Sequence, residues 1–333
     1  MATGVTGVDV ASFNANFNLG QMEVIAQNIR AFEQAGGALR LVDSRLKGDF
    51  SRNVVRRRIA NPISRRDPAS TAAATGIPAR ATSDTGVKVK RTYGPVENTK
   101  DAWYEMLADA GGDVDQLAFD YGQNAAEEQR KDQINSALRA GVAALSNQAD
   151  VTHVVPADGS LNTSGLIRGA SQFGDAFMNE IVAWIGHSKA WFDLIEDQVV
   201  NLQTTGISDF ALATASPRTM LKPFIVTDSP ALSATSGGSS PTTDYFTLGL
   251  TADAIRIMNS RPLDVAIDEI TGLNNLIVRI QGEYDYNIEC KGFQWDETNG
   301  GANPTDAAVA TGSNWEPTGT DKKHFAGFVI QSR

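Results

Sequence analysis

The chain has 333 residues, 41% of them hydrophobic and 20% charged, with a net charge of −10 and a sequence pI near 4.9. That length allows one large domain or two modest ones with ample core. The single cysteine, Cys290, excludes a disulfide framework or a cysteine-clustered zinc site. No stretch reaches the ~18 consecutive apolar residues of a membrane span, and the first twenty residues lack the charged start and apolar core of a signal peptide. No membrane partner is therefore expected, and synthesis is expected inside the cell.

The charge is unevenly placed. Between Arg40 and Arg91 stand thirteen basic residues against four acidic ones, a net +9, while the other 281 residues carry 16 basic against 35 acidic ones, a net −19. A basic segment on an acidic body is suited to hold something acidic, either nucleic acid or another copy of the chain. The acidic pI argues against a dedicated nucleic-acid binder.

In chain order, residues 1–20 are rich in Gly, Asn and Ala without a period and read as an arm. Met22, Ile25, Ile29 and Phe32 trace a short amphipathic helix that stops at Gly36-Gly37. "LKGDFSRNVVRRRIA" (46–60) reads as a second short helix, ended by Pro62. Residues 61–98 hold four prolines and few large apolar side chains, with weak strand signals at Ala69–Thr75 and Val87–Tyr93. Such a segment cannot bury enough apolar area to fold alone. It is expected to be a two-stranded loop that projects from the body and lies on something else.

Trp103, Met106 and Leu107 mark a short helix ending at Gly111-Gly112. From about Val114 to Ser146 a single stripe runs through Leu117, Ala118, Tyr121, Ala125, Ile134, Leu138, Val142 and Leu145, with "EEQRKDQ" (127–133) largely opposite. This predicts a spine helix of roughly 50 Å at 1.5 Å per residue. After Pro156 the pattern turns α/β. A helix is capped by Asn162 or Thr163; "EIVAWIG" (180–186) is a buried strand, and "HSKAWFDLIEDQ" (187–198) is a helix with Trp191, Leu194 and Ile195 facing in. "LKPFIVTDSPAL" holds another strand, residues 233–244 a surface loop, and "YFTLGL" and "AIRIMNS" continue the sheet. From 276 to 290 the even positions are Leu, Val, Ile, Gly, Tyr, Tyr, Ile and Cys, and the odd ones from 279 are polar. That alternation predicts a half-buried strand about 50 Å long, bent near Gly282 and packed along the spine helix as an elongated platform.

The order of these parts resembles the tailed-bacteriophage major capsid proteins of the Hong Kong ninety-seven type fold. The likeness is carried by "LKGDF", "RRDPASTAAATG", "VKVKRTYGPVENTKDAW", the spine "LAFDYGQNAAEEQRKDQINSALRAGVAALS", "FGDAFMNEIVAWIGHSKAWFDL", "FIVTDSPAL", "NLIVRIQGEYDYNIECKGFQWD" and "NPTDAAVATGSNWEP". Each piece is degenerate, but the ordered series covers residues 45–330. The resemblance implies an α+β fold. Its expected parts are an N-terminal arm (1–60), an extended β-hairpin loop (61–98), a peripheral domain with the spine helix (99–155), an α/β axial domain (156–260), and a return to peripheral strands (261–333). It further implies a non-enzymatic subunit without cofactor or metal. Such a subunit would be made in the host cytoplasm and assemble as hexamers and pentamers into the icosahedral shell of the virion. That shell would surround double-stranded DNA without base recognition, with a portal, a separate scaffolding protein and a decoration protein as further partners. Some members crosslink Lys to Asn between subunits; Lys47, Lys88, Lys90, Asn274 and Asn275 are suitable types without a matching motif. With about 45 residues before the family-like part, an attached scaffolding segment is not expected. An encapsulin-type nanocompartment, enclosing cargo instead of DNA, is the alternative within the same architecture.

Three constellations bear on function. Arg52, Arg56, Arg57, Arg58, Arg65, Arg66, Lys88, Lys90 and Arg91 are candidates for contact with an acidic neighbour, with DNA phosphates or with solvent alone. Arginine favours buried pairing with carboxylates, and no interleaved aromatic residues suggest base stacking. Glu283, Asp285 and Glu289 share one strand face; the expected reading is ordinary strand polarity, and any role would be to receive a neighbour's basic loop. "GHSK" (186–189), with Asp193 or Asp197, admits a nucleophilic reading in an α/β hydrolase-like enzyme, but a strand-to-helix turn explains the same residues.

Overall fold

The computed structural model describes residues 37–55, 82–109, 114–204, 222–236 and 242–333, with gaps at 45, 157–158 and 320, together with residues 16, 17, 19, 63, 68–71, 73 and 220. In chain order the first elements are β1 (Leu39–Asp43), β2 (Phe50–Val55), β3 (Thr82–Thr99), helix α1 (Lys100–Asp109) and the 33-residue spine α2 (Val114–Ser146). Then follow β4 (Thr152–Val154), α3 (Thr163–Phe173), α4 (Ala176–Glu180), β5 (Ile181–Gly186), α5 (Ser188–Thr204), β6 (Phe224–Val226), β7 (Ser233–Ser236) and β8 (Thr242–Thr251). The chain ends with β9 (Ile255–Ile270), β10 (Ile277–Cys290), β11 (Phe293–Trp295), α6 (Asp306–Val309), β12 (Trp315–Pro317) and β13 (Gly327–Ser332).

Two main sheets share the spine. One has five strands in the order β1-β9-β10-β3-β2, and the other runs β4-β13-β8-β5-β6 with β7 paired to β8. The predicted alternation along β10 holds over its first two-thirds. Val278, Ile280, Tyr284, Tyr286, Ile288 and Cys290 are buried, whereas Gln281 and Glu283 are exposed. At the far end Asn287 and Glu289 are buried as well, because β2 pairs with β3 there and covers the second face. The expected bend comes from both neighbours of β10. On β3 an extra residue is accommodated where Gly94, at φ +79°, meets Pro95. On β9 the register slips twice, between Asn259 and Asp264. Pro95 and Pro262 lack the amide that a ladder needs, so bulges form where they stand.

Five expectations are corrected. Residues 50–55 form a strand and not a helix, since Phe50, Val54 and Val55 have good strand propensity and β3 offers a partner. Residues 82–98 do not project; β3 is an inner strand of the sheet, with Val87 and Val89 in the core. No strand forms at the described positions 69, 70, 71 and 73. Within 233–244 both ends belong to the paired strands β7 and β8. "YFTLGL" and "AIRIMNS" fall in different sheets, and β9 runs unbroken through residue 260. The helix expected around Met22–Phe32 lies outside the described residues.

The six-stranded sheet is closed on one face by α3 and α4. Asn162 caps α3 by accepting the Gly165 N–H at 2.7 Å, which fixes where the helix starts. Beneath, Phe173, Phe177, Trp184 and Phe328 form an aromatic cluster, with Trp184 edge-on to Phe328 at 5.3 Å. Gly249 on β8 lets the Phe328 ring lie against the sheet; an added Cβ would stand 2.5 Å from that ring.

The spine is tied to the five-stranded sheet by polar groups. "EEQRKDQ" is not simply a solvent face: Gln129, Arg130 and Gln133 are buried, and Gln133 reaches Asn259 of β9 at 2.8 Å. The residue before it, Asp132, accepts from the hydroxyls of both Tyr284 and Tyr286 at 2.9 Å. Arg91 of β3 pairs with Asp132 at 3.2 Å and with Asp306 of α6, and Arg139 joins Asp306 at 2.6 Å. Burial acts against the Arg91 charge, but Tyr286, Asp306 and Asp132 outweigh it and raise its pKa. Burial, reinforced by Asp132, also pushes both tyrosines up. Asp306 is held below the usual carboxylate range, since Arg91 and Arg139 overcome its desolvation.

Two outcomes follow. Arg91→Met leaves Asp132 and Asp306 without their shared cation and should lower stability by about 3 kcal/mol, read as a fall in urea midpoint; an unchanged midpoint would refute the tie. Gly249→Ala must displace the Phe328 ring and should cost about 1–3 kcal/mol with altered near-ultraviolet circular dichroism, whereas an unperturbed aromatic signal would show that the ring has room.

Candidate inter-subunit surface

Strand register decides where the candidate charges point. In the antiparallel pair β3–β10, Arg91 stands opposite Tyr284, Lys90 opposite Asp285, and Lys88 opposite Asn287. Arg91 therefore faces the spine, while Lys88 and Lys90 share the outer face with Glu283, Asp285 and Glu289.

Much of the basic candidate set is matched inside its own chain. Arg91 is held by Asp132 and Asp306. Lys88 is 9% exposed and donates from Nζ to the Leu46 carbonyl at 3.0 Å. Lys90 is exposed and pairs with Asp49 at 2.9 Å; that carboxylate, with help from Asp285, raises its pKa. Arg52, also exposed, pairs with Glu297 at 3.0 Å. For Arg52, Lys90 and Arg91 an acidic partner lies in the same chain, while Lys88 is met by a backbone carbonyl. Composition counts charges but carries no register. Exposed pairs such as Arg52–Glu297 contribute little stability, so they remain exchangeable. Arg56, Arg57, Arg58, Arg65 and Arg66 lie outside the described residues.

The acidic trio divides in the same way. Glu283 is exposed and bonded to Arg261 at 2.8 Å, Asp285 is partly exposed beside Lys90, and Glu289 is buried against Ser51. Among the described residues no three metal-ligating side chains converge. Sequence reasoning missed Arg261 and Arg279, which lie on the same outer face. Arg279 binds Glu97 at 2.6 Å through Nε. On β9 and β10 alone, the outward acids Asp264, Asp268, Glu283, Asp285 and Glu289 outnumber the bases Arg256, Arg261 and Arg279. It also missed Asp132 and Asp306, although two tyrosines on an apolar strand face signal that buried hydroxyls need partners.

The "GHSK" turn is structural in its hydrogen bonding. His187 Nδ1 accepts the Lys189 N–H at 3.1 Å and lies 3.5 Å from Ser188 Oγ. Asp193 is held by Lys189, and Asp197 receives the Thr163 N–H and hydroxyl at 3.0 and 2.9 Å. Neither carboxylate orients the imidazole, whose Nε2 instead lies 3.7 Å from Asp228, so the relay expected through Asp193 or Asp197 is not assembled. No helix among the described residues is long and apolar enough to cross a membrane.

Comparison with known proteins agrees with this geometry. No curated protein matches the chain. Among solved structures, the acid-stable capsid of Helicobacter pylori bacteriophage KHP30 is 10% identical, with 90% of this chain and 88% of that one covered at a TM-score of 0.51. Mycobacterium phage Bobi (12% identity, 90% and 89% covered, TM-score 0.48) and the cyanophage Pam1 capsid asymmetric unit (9%, 86% and 85%, 0.49) are also similar. At this identity the KHP30 likeness bears on the fold alone. A family model for major capsid protein 13-like sequences matches residues 9–329. The chain thus belongs to the Gp13-like family of major capsid proteins, which build phage shells from many copies of themselves.

Proposed function

We propose that this subunit assembles as hexamers and pentamers into the icosahedral shell of a tailed phage and encloses double-stranded DNA without reading its sequence. The observation that carries this reading is the family match over residues 9–329. The subunit acts without catalysis, is made in the host cytoplasm, and meets a portal, a separate scaffolding protein and a decoration protein during assembly.

The mechanism is geometric. The spine and the five-stranded sheet form the peripheral wall, and the six-stranded sheet with α3–α5 forms the axial part. The axial domain therefore yields residues 255–260 to the wall and gains β13 from the C-terminus, and β1 and β2, from the segment expected as an arm, join the wall. The outer face of β9 and β10 keeps an excess of acid in Asp264, Asp268, Glu283 and Asp285, while Arg56, Arg57, Arg58, Arg65 and Arg66 supply the excess of base. Pairing that basic segment with a neighbour's acidic face gives the contact its register, and Arg52 and Lys90 exchange their exposed partners when a neighbour arrives. Such interfaces fall in the obligate class of ~2,000–5,000 Å², and closed symmetry completes the shell.

Negative-stain microscopy of the purified chain under assembly conditions should show closed shells of uniform size; a homogeneous monomer under every condition would overturn the reading. Replacing Arg56, Arg57 and Arg58 together by Glu should leave a subunit with native circular dichroism that does not assemble. Normal shells from that variant would remove the basic segment from the interface while leaving the shell function intact.

A further inference from the structure

At one end of the five-stranded sheet, β2, β3 and β10 meet around a carboxyl group that the platform does not use. Glu289 is 6% exposed and accepts a hydrogen bond from Ser51 Oγ of β2. Ser51 Oγ in turn accepts from Asn287 Nδ2 at 2.6 Å. Asn287 is fully buried, and its Oδ1 has no partner. Gly86 of β3 lies opposite Ser51. A Cβ there would stand 2.7 Å from Ser51 Oγ and closer still to the Glu289 side chain. The absence of a side chain at Gly86 is what lets β2 and β10 touch across β3.

Every neighbouring element brings a charged or titratable group to this point. β9 contributes Arg256, cross-strand to Glu289, with Asp253 just before it. β3 contributes Asp84, which is 8% exposed and accepts from the Gly292 N–H at 3.1 Å and Thr318 Oγ1 at 2.9 Å, and Lys88, which stands opposite Asn287. β10 adds the buried thiol of Cys290, and Lys291 follows it. His324 faces them across a cleft that reaches Glu289 and Asp84. Protons therefore have a route to a carboxyl group that lies under a strand.

We propose that Glu289 is a proton-dependent latch on β2: when protonated it holds Phe50–Val55 on the sheet, and its ionisation loosens that strand where the chain passes into residue 56. Burial raises the pKa of Glu289; the Ser51 hydrogen bond and Arg256 oppose this and Asp84 adds to it, leaving it above the ordinary value. If β2 separates, Glu289 meets water and returns to about 4.3. The attached state thus binds the proton more tightly. Its advantage is complete below the unperturbed pKa and is lost as pH rises through the raised one. The coupling to β2 comes from the burial of the carboxyl group and not from the Ser51 hydrogen bond, which ionisation strengthens: a charge there must shed its water while β2 stays in place.

Hydrogen exchange of the full chain between pH 5 and pH 8, corrected for intrinsic rates, tests the latch. In the wild type, protection of the β2 amides bonded to β3 should fall with rising pH, roughly tenfold for each unit by which attachment raises the pKa. Glu289→Gln, which stays neutral, should hold that protection flat and high. Asp84→Asn should move the wild-type transition to lower pH. A flat wild-type profile, or the same pH dependence in Glu289→Gln, would overturn the proposal and assign the titration to His324 or another group. If Glu289→Gln does not fold, an Asp84→Asn transition at the wild-type pH would overturn it as well.

Discussion

The fold depends on a guanidinium held between a helix and a sheet. Arg91 leaves β3 on the face turned to the spine and meets carboxylates from α2 and α6 at once. A buried cation is tolerated only when its hydrogen-bonding capacity is met. Here Ser136 and Tyr286 take further positions around it, and Tyr286 and Tyr284 complete Asp132. The gain over an apolar contact is specificity of register. A strand slipped by one residue would turn Arg91 to the outer face and Lys90 inward, where a single ammonium cannot fork between two carboxylates. The longest helix and the longest sheet are thus locked at one point near the middle of both.

From that point the rest of the subunit can be built outward. Toward its C-terminus the spine leaves the polar tie and becomes apolar, with Leu138, Val142 and Leu145 buried. Asn135 receives the Ser229 hydroxyl at 2.6 Å, which anchors the lead-in to β7. The Leu145 carbonyl accepts from Thr152 at 3.0 Å, so β4 starts where the helix ends. Toward its N-terminus, Tyr121 meets Trp103 of α1 at 5.5 Å, and Phe17 is buried where Gly122 leaves space for it. One rigid rod therefore carries parts of both sheets and part of the N-terminal segment, which is what a shell subunit needs to transmit contact from one edge to the other.

Long periodic elements were legible in the sequence because periodicity is a local property. The spine spans Val114–Ser146 as its apolar stripe predicts, and β10 follows its alternation through Gly282. Legibility failed wherever a partner decides the outcome. Residues 50–55 look helical until β3 is there to pair with them, and 82–98 look too poor in apolar side chains to be internal because each of their faces needs only alternate residues. The candidate charges failed for the same reason. Lys88, Arg91 and Glu289 differ from Lys90 and Glu283 in burial and not in residue type, and burial follows from register and from what covers each face.

The charge asymmetry consequently has two layers. The part carried by Arg52, Lys90 and Arg91 is neutralised within the subunit, and the Arg91 share of it fixes how β3 sits against the spine. The five arginines between residues 56 and 66 lie outside the described residues and add a further excess of base to the sequence, while the outward face of β9 and β10 carries an excess of acid. Both excesses belong to one chain, and β2 leads directly from the sheet into the basic segment. The strength with which β2 is held therefore governs the point from which that segment departs. Electrostatic complementarity of this kind sets orientation and encounter more than affinity. Burial of apolar area on neighbouring copies then supplies the free energy that closes the shell.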